Sequence, residues 1–160
     1  MMNYTIFKTD IGLFKLGWMD SHIQSVKIDV KGKVSNEIPS WLKPTVAKVQ
    51  KHLSGKLQNF SDCPLDLSAV PLFHRSVYRV LCKVPAGKTV SYAELALRAG
   101  SPRAARAVGQ AMAKNPLPIL IPCHRVLTAN GRIGNYSAGK GSVTKAKLLA
   151  LESCTTLMKK

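Results

Sequence analysis

The hydrophobic period of this chain changes partway along it, and that change restricts the fold more than any other feature. Up to residue 30 apolar and polar positions alternate: Tyr4 and Ile6, then Ile11, Leu13 and Phe14 to Trp18 past a break at Asp10, then Val26, Ile28 and Val30 around Lys27 and Asp29. Successive side chains of a strand point to opposite faces, so this period predicts half-buried strands in hairpins. After a polar loop from Lys31 to Ser40, Pro44 suits a first helical position, Val46, Val49 and Leu53 recur near helical spacing, and Gly55 closes the stretch. Phe60 to Pro71 is non-periodic and carries two prolines, so it reads as a linker. Beyond it the spacing is helical. The pattern predicts an α/β chain of the segregated α+β kind, with a sheet-and-helix lobe at residues 1–62 and a mostly helical lobe at 63–160.

Within the second part, Phe73, Val77, Val80 and Leu81 form one helix face that stops before Pro85 and Gly87. Ser91 can cap a helix with Tyr92, Leu95, Ala96 and Ala99 inward, Glu94 at capping-box spacing and Gly100 as its stop. Ser101 is placed to cap the next helix, with Pro102 in its first turn and Ala104, Ala107, Val108, Ala111 and Met112 on one face. Two short helices joined by a tight Gly-Ser turn make a helix-turn-helix. The other face of the second helix is nearly bare, Ala105, Gly109 and Ala113, with Arg106 as its one long cation beside Gln110. Such a face suits close approach to another surface, whether a neighbouring helix or a ligand. Asn115-Pro116 ends the helix, Asn130-Gly131 marks a hairpin turn, and Val143 to Glu152 reads as a closing helix.

Charge narrows the partner. Residues 1–66 hold nine Lys/Arg against six Asp/Glu, whereas residues 67–160 hold fifteen against two, so most of the formal net charge of +16 lies in the helical part. A one-sided positive field of that size favours a polyanion, because each phosphate it neutralises releases condensed counterions. Nucleic acid is the expected partner. No apolar run approaches the roughly 20 residues of a membrane helix, and the charged start is no signal peptide, which predicts a cytosolic chain, nuclear in a eukaryote.

The four cysteines, Cys63, Cys82, Cys123 and Cys154, include no CxxC pair, so free thiols are expected rather than disulfides or zinc ligands. For Cys63, Cys82 and Cys154 the reading is a small buried hydrophobe. Cys123 differs, because it follows Pro122 at the end of the apolar run Ile119 to Ile121 and precedes His124. A cysteine held in place beside a base is what a thiolate nucleophile requires. Adjacent side chains of an extended chain point apart, so a bridging water between Cys123 and His124 is more plausible than direct contact. Beyond residue 66 the only acids are Glu94 and Glu152, and Glu152 lies on the closing helix, which makes a Cys-His-Glu relay simple to assemble.

The segment Asn115-Pro-Leu-Pro-Ile-Leu-Ile-Pro-Cys-His-Arg-Val126 resembles the signature of the O6-alkylguanine-DNA alkyltransferases, the methylated-DNA-protein-cysteine methyltransferases. Pro85-Ala-Gly-Lys-Thr-Val-Ser-Tyr92, Arg103-Ala-Ala-Arg-Ala-Val-Gly109, Pro64-Leu-Asp-Leu67 and Asn135-Tyr-Ser137 resemble the same family, so the likeness runs from about Phe60 to Glu152. It implies a ribonuclease H-like first lobe and a winged-helix-like second one. It also implies a single-turnover enzyme that takes the alkyl group from O6-alkylguanine in double-stranded DNA, acting as a monomer without cofactor and leaving open whether O4-alkylthymine is a substrate; no metal is expected, since the first lobe lacks the Cys/His cluster that holds structural zinc in some relatives. Carried over by position, Cys123 is the acceptor, His124 polarises it through water and Glu152 orients His124. Asn115 ties the recognition helix to the cysteine turn, and Tyr92 helps rotate the nucleotide and passes a proton toward the departing guanine. Arg106 fills the gap left in the base stack, while Ser101, Ala104, Ala105, Ala107 and Gly109 lie against DNA in the minor groove. Met112, Pro118, Val126, Tyr136 and Ser137 line the pocket. The chemistry is self-consistent, since a thiol reaches O6 only when the nucleotide is flipped out of the duplex.

Two departures from the family pattern stand out. The two glycines common after the Asn-Tyr-Ser motif are replaced by a longer Ala138-Gly-Lys-Gly-Ser142, which bears on pocket size, and Tyr78 stands where tryptophan is frequent. The alternatives are a lesion-flagging alkyltransferase-like protein, which lacks the cysteine, a plain helix-turn-helix regulator, and a cysteine hydrolase.

Overall fold

The protein is described here by a computed structural model covering residues 2–158, with side chains through Ser153, so the expectation for the Cys154 thiol lies outside the described residues. The described part is a mixed α/β structure with one three-stranded sheet and five α-helices. The strands β1 (Asn3–Thr9), β2 (Gly12–Met19) and β3 (His22–Ile28) form an antiparallel meander in the order β1-β2-β3. The alternation is present, but its phase in β1 is opposite to the sequence reading: Thr5, Phe7 and Thr9 face the core, and Tyr4 is exposed under the Lys15 ammonium. In β3 the buried residues Ile23 and Val26 stand three apart, because the register shifts between Gly17 and Trp18 and turns both inward. A Cβ at Gly17 would collide with the Ser25 hydroxyl and the Met2 sulfur, so a larger residue there requires those side chains to move.

Helix α1 (Lys43–Leu53) packs against β1 through Val46, Val49 and Leu53, and the same inner face carries Thr45 and His52. The linker is tied to the sheet: Ile23 donates its N–H to Pro64 and accepts one from Asp66, so Leu65 bridges beside β3. Helix α2 (Leu72–Leu81) buries Val77, Tyr78 and Leu81. Of the cysteines expected inside, Cys63 is only half-buried and Cys82, just past the end of α2, is exposed.

A two-residue parallel ladder joins β4 (Val90–Ser91) to β5 (Val126–Leu127). Ser91 caps α3 (Tyr92–Arg98) by accepting the Glu94 N–H, whereas the Glu94 carboxylate pairs with Arg98 instead of closing the capping box. Gly100, at φ +81°, ends that helix as its sequence predicts. The following helix departs from expectation. Ser101 accepts the Ala104 N–H through its backbone in a tight turn and caps nothing, so α4 (Ala105–Ala113) starts later with an uncapped Ala104. Asn130-Gly131 folds the chain back as expected, with Gly131 at φ +78° donating to the Thr128 carbonyl and Thr128 donating to the Arg132 carbonyl, but the ladder goes no further, and β5 before it pairs with β4. Helix α5 (Ser142–Met158) closes the chain.

Tyr78 does more than fill the space of a larger ring. Its hydroxyl donates a 2.6 Å hydrogen bond to the Ala111 carbonyl, one of the last four of α4, which have no partner within the helix. Tyr78→Phe leaves that buried carbonyl unsatisfied and should cost about 1–3 kcal/mol, read as a lower urea midpoint at unchanged slope. A midpoint equal to that of the parent would show that the bond contributes nothing.

Candidate functional site

The loop between α4 and β5 is held under strain. Ile119, buried and β-branched, has φ +74°, a conformation that side chains of this type avoid at a cost on the order of 1–3 kcal/mol. Asn115 brackets it. Its side-chain oxygen accepts the Leu117 N–H at 3.0 Å and its amide donates to the Ile121 carbonyl at 2.9 Å, and that carbonyl also accepts the Cys123 N–H at 2.8 Å. Asn115 thus joins the end of α4 to the turn that carries the cysteine. Cys123 and His124 lie in a single 3-10 turn, Cys123–Arg125, and not in extended chain.

Behind Cys123 lies a buried polar cluster centred on Glu152. His124 donates from Nε2 to Glu152 Oε1 at 2.7 Å, which leaves its Nδ1 a buried acceptor with no hydrogen-bond partner among the described residues. Arg125 grips the same carboxylate through Nε and Nη2 at 3.0 and 2.9 Å and donates from Nη1 to the Val84 carbonyl. His52, from α1, is a third donor to Oε1 at 3.1 Å. Neither Arg125 nor His52 was assigned a site role from the sequence. Arg125 stands inside the signature beside the one inward acid of the closing helix, which was the available signal.

In front of Cys123 a pocket of about 750 Å³ opens, and the residue, only 4% exposed, is at its floor. Met112, Tyr136 and Ser137, expected as pocket residues, line it together with Tyr92, Ala105, Arg106, Gly109, Gln110, Ala113, Thr128, Gly134 and Asn135. The β4–β5 ladder brings Tyr92 there, and Gly134 leaves room for its hydroxyl, which would lie 3.2 Å from a Cβ. Pro118 and Val126 are buried and do not line the pocket, and Ser101, Ala104 and Ala107 stand outside it.

Lys145 is the residue that sequence reading missed altogether. It is fully buried, its Nζ has no hydrogen-bond partner and lies 5.9 Å from the centre of the Tyr92 ring, and its charge acts on Cys123. The signal was its spacing: Lys145, Leu148 and Glu152 recur at three and four residues, one face of α5. The Tyr136 hydroxyl approaches the sulfur closely enough to affect its ionisation but makes no well-formed hydrogen bond. Three buried polar atoms without partners, His124 Nδ1, Tyr136 Oη and Lys145 Nζ, thus belong to residues grouped around one thiol. Each such group costs about 1–3 kcal/mol, so their concentration here marks a site built for a ligand.

The ionisation states follow from burial. Burial pushes the Cys123 thiol up, against the Asn115 amide and the Lys145 charge, and it holds His124 below the ordinary histidine value, against Glu152. The resting pair is therefore thiol and neutral imidazole. Burial alone would also raise Glu152, but the hydrogen bonds from His124, His52 and Arg125 override it and hold the carboxyl well below its usual range. Both His124 and Glu152 thus take up protons less readily folded than unfolded. Their contribution to stability is complete above about pH 6.5 and falls below it, first through His124 and then, beneath about pH 4.3, through Glu152, at up to about 1.4 kcal/mol per pH unit for each group. Urea midpoints measured from pH 8 to 4 should decline in that order, and a midpoint constant between pH 7 and 5 would contradict a neutral buried His124.

Among the described residues no helix is long and apolar enough to cross a membrane, and no group of three or more His, Cys, Asp or Glu could hold a metal ion. Residues 72–154 match the profile of the 6-O-methylguanine DNA methyltransferase DNA-binding domain. The chain is 36% identical over 148 residues to a methylated-DNA--protein-cysteine methyltransferase of Methanosarcina barkeri, covering 86% of this chain and 90% of the relative. It is similar to the crystal structure of Mycobacterium tuberculosis O6-methylguanine methyltransferase, with a TM-score of 0.83 at 32% identity over 99% of both chains. The Mycobacterium tuberculosis OGT in complex with DNA is similar over 95% of this chain and 93% of that one, with a TM-score of 0.82 at 32% identity.

Proposed function

The chain belongs to the methylated-DNA-protein-cysteine methyltransferase family, and on that premise we propose that it repairs O6-alkylguanine in double-stranded DNA by one irreversible transfer of the alkyl group to Cys123. One observation carries this reading: the only described cysteine with a buried base relay behind it is also at the floor of a pocket bordered by the bare face of α4. The nucleotide is flipped out of the stack into that pocket. His124, through Nδ1, takes the thiol proton, and the sulfur attacks the alkyl carbon in line. The carbon–O6 bond breaks, its electron pair goes to the guanine, the Tyr92 hydroxyl supplies the proton that leaves guanine neutral, and the proton taken up by His124 passes through solvent to the Tyr92 phenolate. A thioether remains on Cys123.

The docking surface is α4. Gly109 sits inside this helix with nothing within 4 Å of the position a Cβ would take, so the fold itself does not require a glycine there. A glycine inside a helix costs roughly 0.5–1 kcal/mol relative to alanine, and a minor groove about 6 Å wide gives a reason to bear that cost. Arg106, exposed on the same face and at the pocket rim, is the side chain that fills the vacated stack. Gly109→Ala should therefore stabilise the free protein by about 0.5–1 kcal/mol while weakening duplex binding. Improved stability with unchanged affinity would remove Gly109 from the interface. Ser101, Ala104, Ala105 and Ala107 extend the surface, and the pocket residues that meet the base are Met112, Tyr136 and Ser137. The same reading includes the division near residue 62, a ribonuclease H-like first lobe, a winged-helix-like second lobe and action as a monomer.

Incubation with a duplex carrying O6-methylguanine tests it. The intact protein should gain about 14 daltons once, on the Cys123 peptide, and Cys123→Ala should bind the duplex without the gain. Binding without any gain in the parent protein would instead support a lesion-flagging role, which the presence of Cys123 and of its relay disfavours.

A further inference from the structure

We propose that His52, on the helix of the N-terminal part, is a positioning residue for the alkyl transfer: it fixes the Glu152 carboxylate so that His124 presents Nδ1 to Cys123. This deepens the transfer reading and rests on it. The terminal torsion of a glutamate is broad and roughly two-fold, so a carboxylate keeps one orientation only if its partners impose it. Glu152 Oε1 accepts from His124, Arg125 and His52, and Oε2 accepts from Arg125 with the Gly87 N–H at 3.5 Å. Of the side-chain donors to Glu152 among the described residues, His124 and Arg125 belong to the cysteine turn, whereas His52 comes from outside it, one hundred residues before its acceptor.

Its own state is fixed as well. His52 Nδ1 accepts the Gln58 N–H at 3.0 Å, so the ring proton sits on Nε2, facing Glu152. The ring is 1% exposed and lies 5.2 Å from that of Phe60 at a 58° tilt. Among the described residues, the charged and titratable groups around the relay are Cys123, His124 and Arg125 on the turn, Lys145 and Glu152 on α5, Tyr78 on α2 with Cys82 just past its end, Tyr92 on α3, Tyr136 in the loop before α5 and His52 on α1. The relay is therefore complete only when α1 is docked, and the N-terminal part contributes directly to the reactivity of a thiol carried by the other part.

His52→Phe keeps a ring against Phe60 and removes the donor, whereas His52→Gln keeps a donor. In the full chain, the pH dependence of Cys123 alkylation by iodoacetamide, read on the isolated peptide, is compared with single-turnover transfer from a methylated duplex. For His52→Phe the alkylation midpoint should rise by about one pH unit and transfer at neutral pH should slow about tenfold, with duplex affinity unchanged and with His52→Gln close to the parent. A folded His52→Phe with the parent's midpoint and rate, or with a midpoint shifted to lower pH, overturns the proposal. If His52→Phe does not fold, His52→Asn replaces it: asparagine is too short to reach Oε1, so it must shift the midpoint while glutamine does not, and equal behaviour of the two overturns the proposal. If the parent itself transfers no methyl group, the repair reading fails, whereas the iodoacetamide profiles still decide the role of His52.

Discussion

Glu152→Ala is expected to destabilise the protein by about 3–5 kcal/mol, the cost of breaking a buried charge cluster by removing one member. Arg125 is 5% exposed, and without the carboxylate its guanidinium keeps only the Val84 carbonyl. His124 and His52 lose their acceptor in the same step. Alkyl transfer should fall at least about a hundredfold as well, because the His124 ring is then free to turn and to change tautomer. Glu152→Gln keeps the shape but not the charge, so it should fall between the alanine variant and the parent in both measurements. Urea unfolding and single-turnover transfer measure the two effects separately. A loss below about 1 kcal/mol for alanine would mean that water replaces the carboxylate and that the cluster is not dry.

Lys145→Met should do the opposite to stability and the same to chemistry. An ammonium buried without a hydrogen-bond partner opposes folding, and a flexible apolar side chain of similar length removes that penalty, so the variant should be more stable by about 1–3 kcal/mol. The charge that favours the Cys123 thiolate goes with it. The thiol midpoint should move up by about one to two pH units and transfer should slow correspondingly. More stable and less reactive is the pattern of a residue retained for chemistry at the expense of the fold. A variant that is both less stable and fully active would show that Lys145 is structural.

The α5 helix separates what could be read from what could not. Its existence and the inward position of Glu152 were legible, because helical spacing is a local property and Glu94 was the only competing acid. That Lys145 shares the buried stripe was legible in principle from the same spacing and was missed, because a lysine is ordinarily assigned to solvent. Arg125 stood within the family signature but had no stated partner. His52 could not have been found, since nothing near residue 52 refers to residue 152. The failure at Ser101 has another origin. The segment has the right residue for a cap, but the chain uses the Ser101 backbone in a turn. Local preferences amount to about 1 kcal/mol and yield to packing.

The amino-acid sequence by itself determined the change from sheet to helices, the basic second part and the Cys123-His124 pair beyond the apolar run, because each is written within a few neighbouring residues. Only the tertiary structure decided that His52, Tyr92, Lys145 and Glu152 meet around the Cys123 turn, that the resting sulfur is a thiol, and that a pocket reaches it. Those outcomes depend on which distant surfaces exclude water from one another. Desolvation, unlike periodicity, belongs to the packed chain and not to any segment of it.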